Sequence, residues 1–166
     1  MKKGIVLLLI LLLTVSCNND DDNVNLVLEV WELEAIIVEE EFDFNNDGVF
    51  SGNLSDELSC SSFDTYTLYD NGVAVESITG NLALYNDGSD NIMGICESFE
   101  ESDEGLLNWS VGNGTRNFSF QGEIITATVE DDTMTFEEID FSIFTDDSLN
   151  QLDMAIPATF IYRRSQ

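Results

Sequence analysis

Apolar residues recur at every second position in short runs broken by Asn, Asp and Gly, and no long segment spaces them as a helix face would. That pattern restricts the chain to an all-β fold. In the first run Trp31, Leu33, Ala35 and Ile37 share one face and Glu32 and Glu34 the other, while Ile36 and Val38 make the far half apolar on both sides. Asn71-Gly72 separates Tyr66-Leu68 from Val73-Val75, and Asn-Gly between alternating apolar residues is the strongest short hairpin signal. Further strands are expected around Leu82 to Tyr85, Ile92 to Phe99, Leu106 to Val111, Asn117 to Phe120, Ile124 to Val129, Met134 to Phe144 and Met154 to Tyr162. Their separators, such as Asp87-Gly88, Asn113-Gly114, Gln121-Gly122 and Asp131-Asp132, are short enough for consecutive antiparallel pairing.

Two local features refine the strands. The apolar set changes phase between Phe136 and Ile139, which predicts a β-bulge at Glu137-Glu138. Pro157 cannot donate a ladder hydrogen bond, so the last strand should have an unpaired or bulged position there. One short helix is expected from about Asn53 to Leu58, capped by Asn53 or Ser55. Nine or ten sequential strands suit an antiparallel up-and-down meander that closes into a β-barrel, because closure removes exposed edges; a two-sheet sandwich is the other arrangement.

The 166 residues carry 33 acids against 5 bases and no histidine, a net charge of −28. Nucleic acid is excluded as a partner, since its binding rests on Lys and Arg neutralising phosphates. Both lysines, Lys2 and Lys3, stand at the extreme amino terminus. The rest of the chain therefore cannot build a Ser-His-Asp or Cys-His site, a His-ligated zinc site or a Schiff base. The acid runs Glu39-Glu40-Glu41, Glu100-Glu101 and Glu137-Glu138 read as solvated faces rather than a glycosidase pair, so no catalytic residue and no organic cofactor is assigned.

Lys2 and Lys3 precede an unbroken apolar run from Ile5 to Leu13, and Ser16 stands directly before Cys17. This is the layout of a lipoprotein signal, with residues 1–16 removed and Cys17 carrying the lipid. Residues 17–25 form a polar, acidic tether with nothing to bury, and the domain occupies 26–166. The expected location is the outer membrane, held through the lipid. The acidic run after the cysteine is similar to the signal that sends some lipoproteins of Bacteroidota to the cell surface. In an exported protein Cys60 and Cys96 then pair most simply as one disulfide, which would close a loop of about 37 residues and contribute roughly 3–4 kcal/mol in the chain-entropy picture.

Asp43-Phe44-Asn45-Asn46-Asp47-Gly48 matches the first half of a calcium loop, with oxygens at alternate positions and a Gly for the sharp turn. Val49 would add its carbonyl and Ser51 a bridging water. The twelfth position is Leu54, so this is no EF-hand; Asp56 and Glu57 would complete the shell if a short helix turns them back. The same residues also suit a plain polar turn. Trp31 and Trp109 are the largest side chains on inward faces, placed either to line a ligand cavity or to fill the core.

Glu29-Val30-Trp31-Glu32-Leu33, the acidic loop at 43–48, Asp56-Glu57-Leu58-Ser59-Cys60, Asp64-Thr65-Tyr66-Thr67-Leu68 before Asn71-Gly72, Leu107-Asn108-Trp109-Ser110-Val111 and the ending Thr159 to Arg164 occur in one order. In that order the chain resembles the lipocalin-like lipoproteins of Bacteroidota. Glu29 stands where the family has a Gly. The resemblance implies a calycin-type barrel and, by analogy, a small apolar ligand. The reading is an exported, lipid-anchored lipocalin-like binding protein, with a calcium-stabilised adhesion or assembly module with a filled core as the alternative.

Overall fold

The computed structural model describes residues 25–58, 64–86, 88, 91–145 and 152–165. Its elements are β1 (Val27–Phe42), β2 (Ser51–Asn53), α1 (Leu54–Glu57), β3 (Asp64–Tyr69), β4 (Val73–Asn86), β5 (Ile92–Val111), β6 (Thr115–Phe120), β7 (Glu123–Glu130), β8 (Thr133–Phe144) and β9 (Leu152–Arg164). Each strand from β3 onward pairs antiparallel with the next, and β9 returns to β1, so β1 and β3 to β9 form a closed barrel of 8 strands. The short β2 is added to the edge of β1, and Asn53 caps α1 by accepting the Ser55 N–H.

The turn chemistry follows the residues. Asn71 accepts the N–H of Val73 at 2.9 Å, and Gly72 takes φ +79. Gln121 and Gly122, at φ 51 and 94, give two consecutive left-handed residues, the twist that a tight hairpin needs. The expected bulge is present: the β8–β9 ladder passes from Phe136↔Phe160 to Ile139↔Ala158, with Glu138 at φ 56. Pro157 pairs with Asp140 one residue beyond the end of the β1–β9 ladder at Val38↔Ala158.

Two expectations are corrected. The β1–β9 register shifts between Leu33 and Ala35, so the inward set passes from Trp31 and Leu33 to Ile36 and Val38, and Ile37 is only half-buried. The runs expected as separate strands between Val73 and Tyr85, and between Ile92 and Val111, are two unbroken strands. Nothing in Glu97 to Glu104 breaks a strand; Ile78↔Asp103 is followed by Gly80↔Ser98, so the surplus residues 99–102 swell outward while the ladder continues.

The interior is two clusters. Ile36, Val38, Leu84, Ile92, Ile143 and Ala158 fill one end with Phe44 and Leu54, and a parallel pairing of β4 with β8 (Leu84↔Ile143, Tyr85↔Phe144) pinches the barrel there. The other contains Trp31, Leu68, Ala74, Phe118, Ala127, Met134, Phe136 and Tyr162. There the β7–β8 ladder has only the pairs from Thr128↔Thr135 to Glu130↔Thr133, and the Glu123 end of β7 is paired with β6.

Candidate functional site

The acidic loop is held by its own apolar residues. Phe44 and Leu54 are fully buried, and the Phe44 carbonyl accepts the Gly94 N–H at 3.0 Å. Asn46 and Gly48, at φ 59 and 89, make the sharp turn between them. Asp43 accepts the N–H groups of Asp47 and Gly48 at 2.9 Å each, and Asp47 accepts that of Val49 at 2.8 Å. The Asn45 amide donates to Asp47 Oδ2 at 3.2 Å and to the Glu57 carbonyl at 2.8 Å, tying the loop to α1.

The carboxylates of Asp43, Asp47 and Glu57 lie within 4.8 Å of one another. Glu57 is only 7% exposed, and its Oε2 is buried without a hydrogen-bond partner. Burial, and the charges of Asp47, Asp43 and Asp56, push the Glu57 pKa up. Three clustered carboxylates, one of them buried with an orphaned oxygen, are a donor set suited to a hard divalent cation. Asp56 is exposed and outside this group, Val49 enters the loop through its N–H, and Ser51 turns its hydroxyl to the Asn53 N–H.

Residues 1–24, with Cys17 and most of the tether, and Cys60 lie outside the described residues. Cys96 is half-buried on β5 with Sγ 3.4 Å from the carbonyl oxygen of Leu58, two residues before Cys60.

Both indole N–H groups are bonded within the fold. Trp31 is fully buried, donates from Nε1 to Glu29 at 2.9 Å and lies 4.6 Å beneath the Arg164 guanidinium. Trp109 donates to the Tyr69 carbonyl at 2.9 Å. Glu29 also accepts from Arg116 at 2.7 Å and meets Arg164 at 3.7 Å. Burial works against the Glu29 charge, but the Arg116 and Trp31 donors and the two guanidiniums leave its pKa below the usual carboxylate range. Neither indole is among the residues that line two interior cavities.

Those cavities lie beside four rings contributed by four strands. Tyr66 is 5.0 Å from Phe118, 5.7 Å from Phe136 and 5.3 Å from Tyr162, ring centre to ring centre. One cavity of about 260 Å³ runs along Tyr66, Glu76, Leu107, Phe118, Phe120 and Ile125; a second of about 220 Å³ is lined by Asp64, Glu76, Ile139, Phe160 and Tyr162. Both share Tyr66, Glu76, Ile125 and Phe136. Leu106, Phe120, Ile124 and Ile125 are exposed at the β6–β7 hairpin and the neighbouring β5.

Two carboxylates enter this aromatic interior. Tyr66 donates to Glu76 and Tyr162 to Asp64, each at 2.5 Å. The other oxygen of Asp64, Oδ1, is buried and has no hydrogen-bond partner among the described residues. Burial and the Glu76 charge push the Asp64 pKa up to about 6, although the Tyr162 and Thr65 donors act the other way. Burial likewise raises the hydroxyls of Tyr66 and Tyr162, so both remain protonated donors.

The sequence alone left Trp31 and Trp109 open between cavity lining and core, and did not single out Asp64 and Glu76. The signal was there: Asp64 alternates with Tyr66 and Leu68, and Glu76 with Ala74 and Ile78, which sets each acid on an inward face. No protein-family model, curated protein or solved structure matches the chain. What the architecture defines is a closed, up-and-down, eight-stranded barrel that fits a lipocalin-like binding fold.

Proposed function

We propose that this is an exported, lipid-anchored, lipocalin-like binding protein that takes a small ligand with an apolar body inside its barrel. The observation that carries the reading is the pair of cavities sharing Tyr66, Glu76, Ile125 and Phe136, where apolar walls surround a few polar groups. A filled barrel serving only as an adhesion or assembly surface accords less well with that interior. Fold alone does not assign a ligand; the lining does.

In this reading Cys17 fixes the chain to the outer membrane and the acidic tether carries the barrel away from it. Calcium at Asp43, Asp47 and Glu57 serves as a structural clamp, supported by the orphaned Glu57 oxygen, and it stands apart from the ligand. Native mass spectrometry on protein purified without denaturation tests the binding function. A complex heavier than the bare chain by one small molecule, lost on unfolding, is expected. Bare protein alone, from every extract offered, would overturn it.

A further inference from the structure

Among the described residues no cation reaches the interior carboxylates. Past the amino-terminal lysines the chain has three bases, and each is engaged elsewhere: Arg116 and Arg164 at Glu29, and Arg163 at Glu34 on the exterior. Among the described residues Asp64 accepts from the Tyr162 hydroxyl and the Thr65 backbone N–H, and Glu76 from the Tyr66 hydroxyl, so every donor on these acids is neutral. An apolar ligand alone would leave Asp64 Oδ1 buried and unpaired, which is costly for a charged group.

The two acids converge. Tyr66 is paired with Glu76 and Asp64 with Ile78, so Glu76 is the diagonal neighbour of Asp64 on the same face, roughly 7 Å away at Cβ. Four rings cluster in this interior with neighbouring centres 5.0–5.7 Å apart, and aromatic faces attract a cation where water is excluded. A hard metal ion prefers a shell of oxygens, as the three carboxylates of the Asp43 loop begin to supply, whereas here two carboxylates stand among aromatic walls.

We propose that the barrel selects an organic ammonium: the charged nitrogen sits between Asp64 and Glu76 against Tyr66 and Tyr162, and the apolar body lies along Phe118, Phe120, Ile125 and Phe136. This rests on the barrel being a ligand site and adds the charge that the ligand must carry. The ammonium N–H groups take the free Asp64 oxygen and Glu76 in charge-assisted hydrogen bonds, while the tyrosines keep their own donors on the same acids. Neutral and anionic molecules of the same size gain only the apolar walls.

Calorimetric titration at neutral pH with 2-phenylethylammonium, 2-phenylethanol and 3-phenylpropanoate tests the assignment. The ammonium should bind at least about tenfold tighter than the alcohol, and the carboxylate weakest. The double variant Asp64→Asn, Glu76→Gln keeps the shapes and should bind ammonium and alcohol alike. Alcohol binding by that variant also shows that its interior is intact. Ile125→Trp fills the shared wall and should abolish binding of both. Because the whole surface is acidic, Glu100→Gln, Glu101→Gln is the charge control and should keep the preference. Equal binding of ammonium and alcohol by wild type, or a preference erased by the exterior control and retained by the interior double variant, overturns the ammonium assignment and leaves the apolar pocket standing. Binding of none of the probes overturns both.

Discussion

Asp64→Asn should change how stability depends on pH, in a direction set by its burial. The Asp64 carboxyl is pushed up to about 6 from an ordinary 3.8, and the groups facing it are Tyr162 on β9, Tyr66 on β3 and Glu76 on β4. A folded-state pKa above the unfolded one means that the folded chain holds the proton longer. Stability from this residue is therefore full below about 3.8 and is lost as pH rises through about 6. The difference of about two pH units corresponds to about 3 kcal/mol, at about 1.4 kcal/mol per unit. The asparagine carries no proton to lose and still accepts from Tyr162. Urea unfolding of both proteins at pH 4, 5, 6 and 7 reads the effect. The stability of Asp64→Asn relative to wild type should climb by up to ~3 kcal/mol between pH 4 and 7 and then level off. A constant difference, or one that falls with pH, would refute the reasoning about this carboxylate.

Other outcomes follow from the remaining sites. Glu29→Gln should destabilise by about 2 kcal/mol, less than a fully buried pair because the Arg116 and Glu29 side chains retain 13% and 16% exposure, and urea midpoints measure it. Since the Glu29 pKa is lowered, that contribution should be present at neutral pH and fade as acid protonates the carboxyl. Calcium at a few times its dissociation constant should stabilise wild type by about 1 kcal/mol in thermal scans, beyond magnesium or sodium chloride at matched ionic strength. Asp47→Ala should lose the calcium-specific part, and equal gains from calcium and salt would reduce the loop to a turn. Intact-mass analysis should find Cys60 and Cys96 two hydrogens short of the free thiols, and globomycin should make the Cys17 precursor accumulate in cells. Met134→Ala, deleting a fully buried side chain, should cost about 2–5 kcal/mol in the same urea assay.

Period-two alternation made the meander and its closure legible, because a strand that buries one face has little choice of register. The bulge at Glu137-Glu138 was legible for the same reason: Phe136 and Ile139 both needed the core. The bulge near Glu34 was not, since Ile36 and Val38 left two faces equally apolar. The long β4–β5 hairpin was hidden by its polar middle, where Glu97 to Glu104 lack apolar alternation yet contain no residue that ends a strand. At the site, the Asp43 loop was readable from spacing alone, while its buried member, Glu57, was separated from exposed Asp56 only by the placement of α1. Size alone left Trp31 and Trp109 open to either the pocket or the core. Their N–H groups found Glu29 and Tyr69 instead, and the cavity went to medium rings with acids between them.

The central claim is that ligand enters one end of the barrel and leaves the other end packed. Methyl-labelled protein titrated with 2-phenylethylammonium tests it most directly by NMR. The methyls of Leu107, Ile125 and Ile139, which line the cavities, should shift together and saturate with one affinity, while those of Ile36, Ile92 and Ile143 in the pinched end stay in place. Shifts confined to exterior methyls such as Ile124, or spread evenly over both ends, would contradict it.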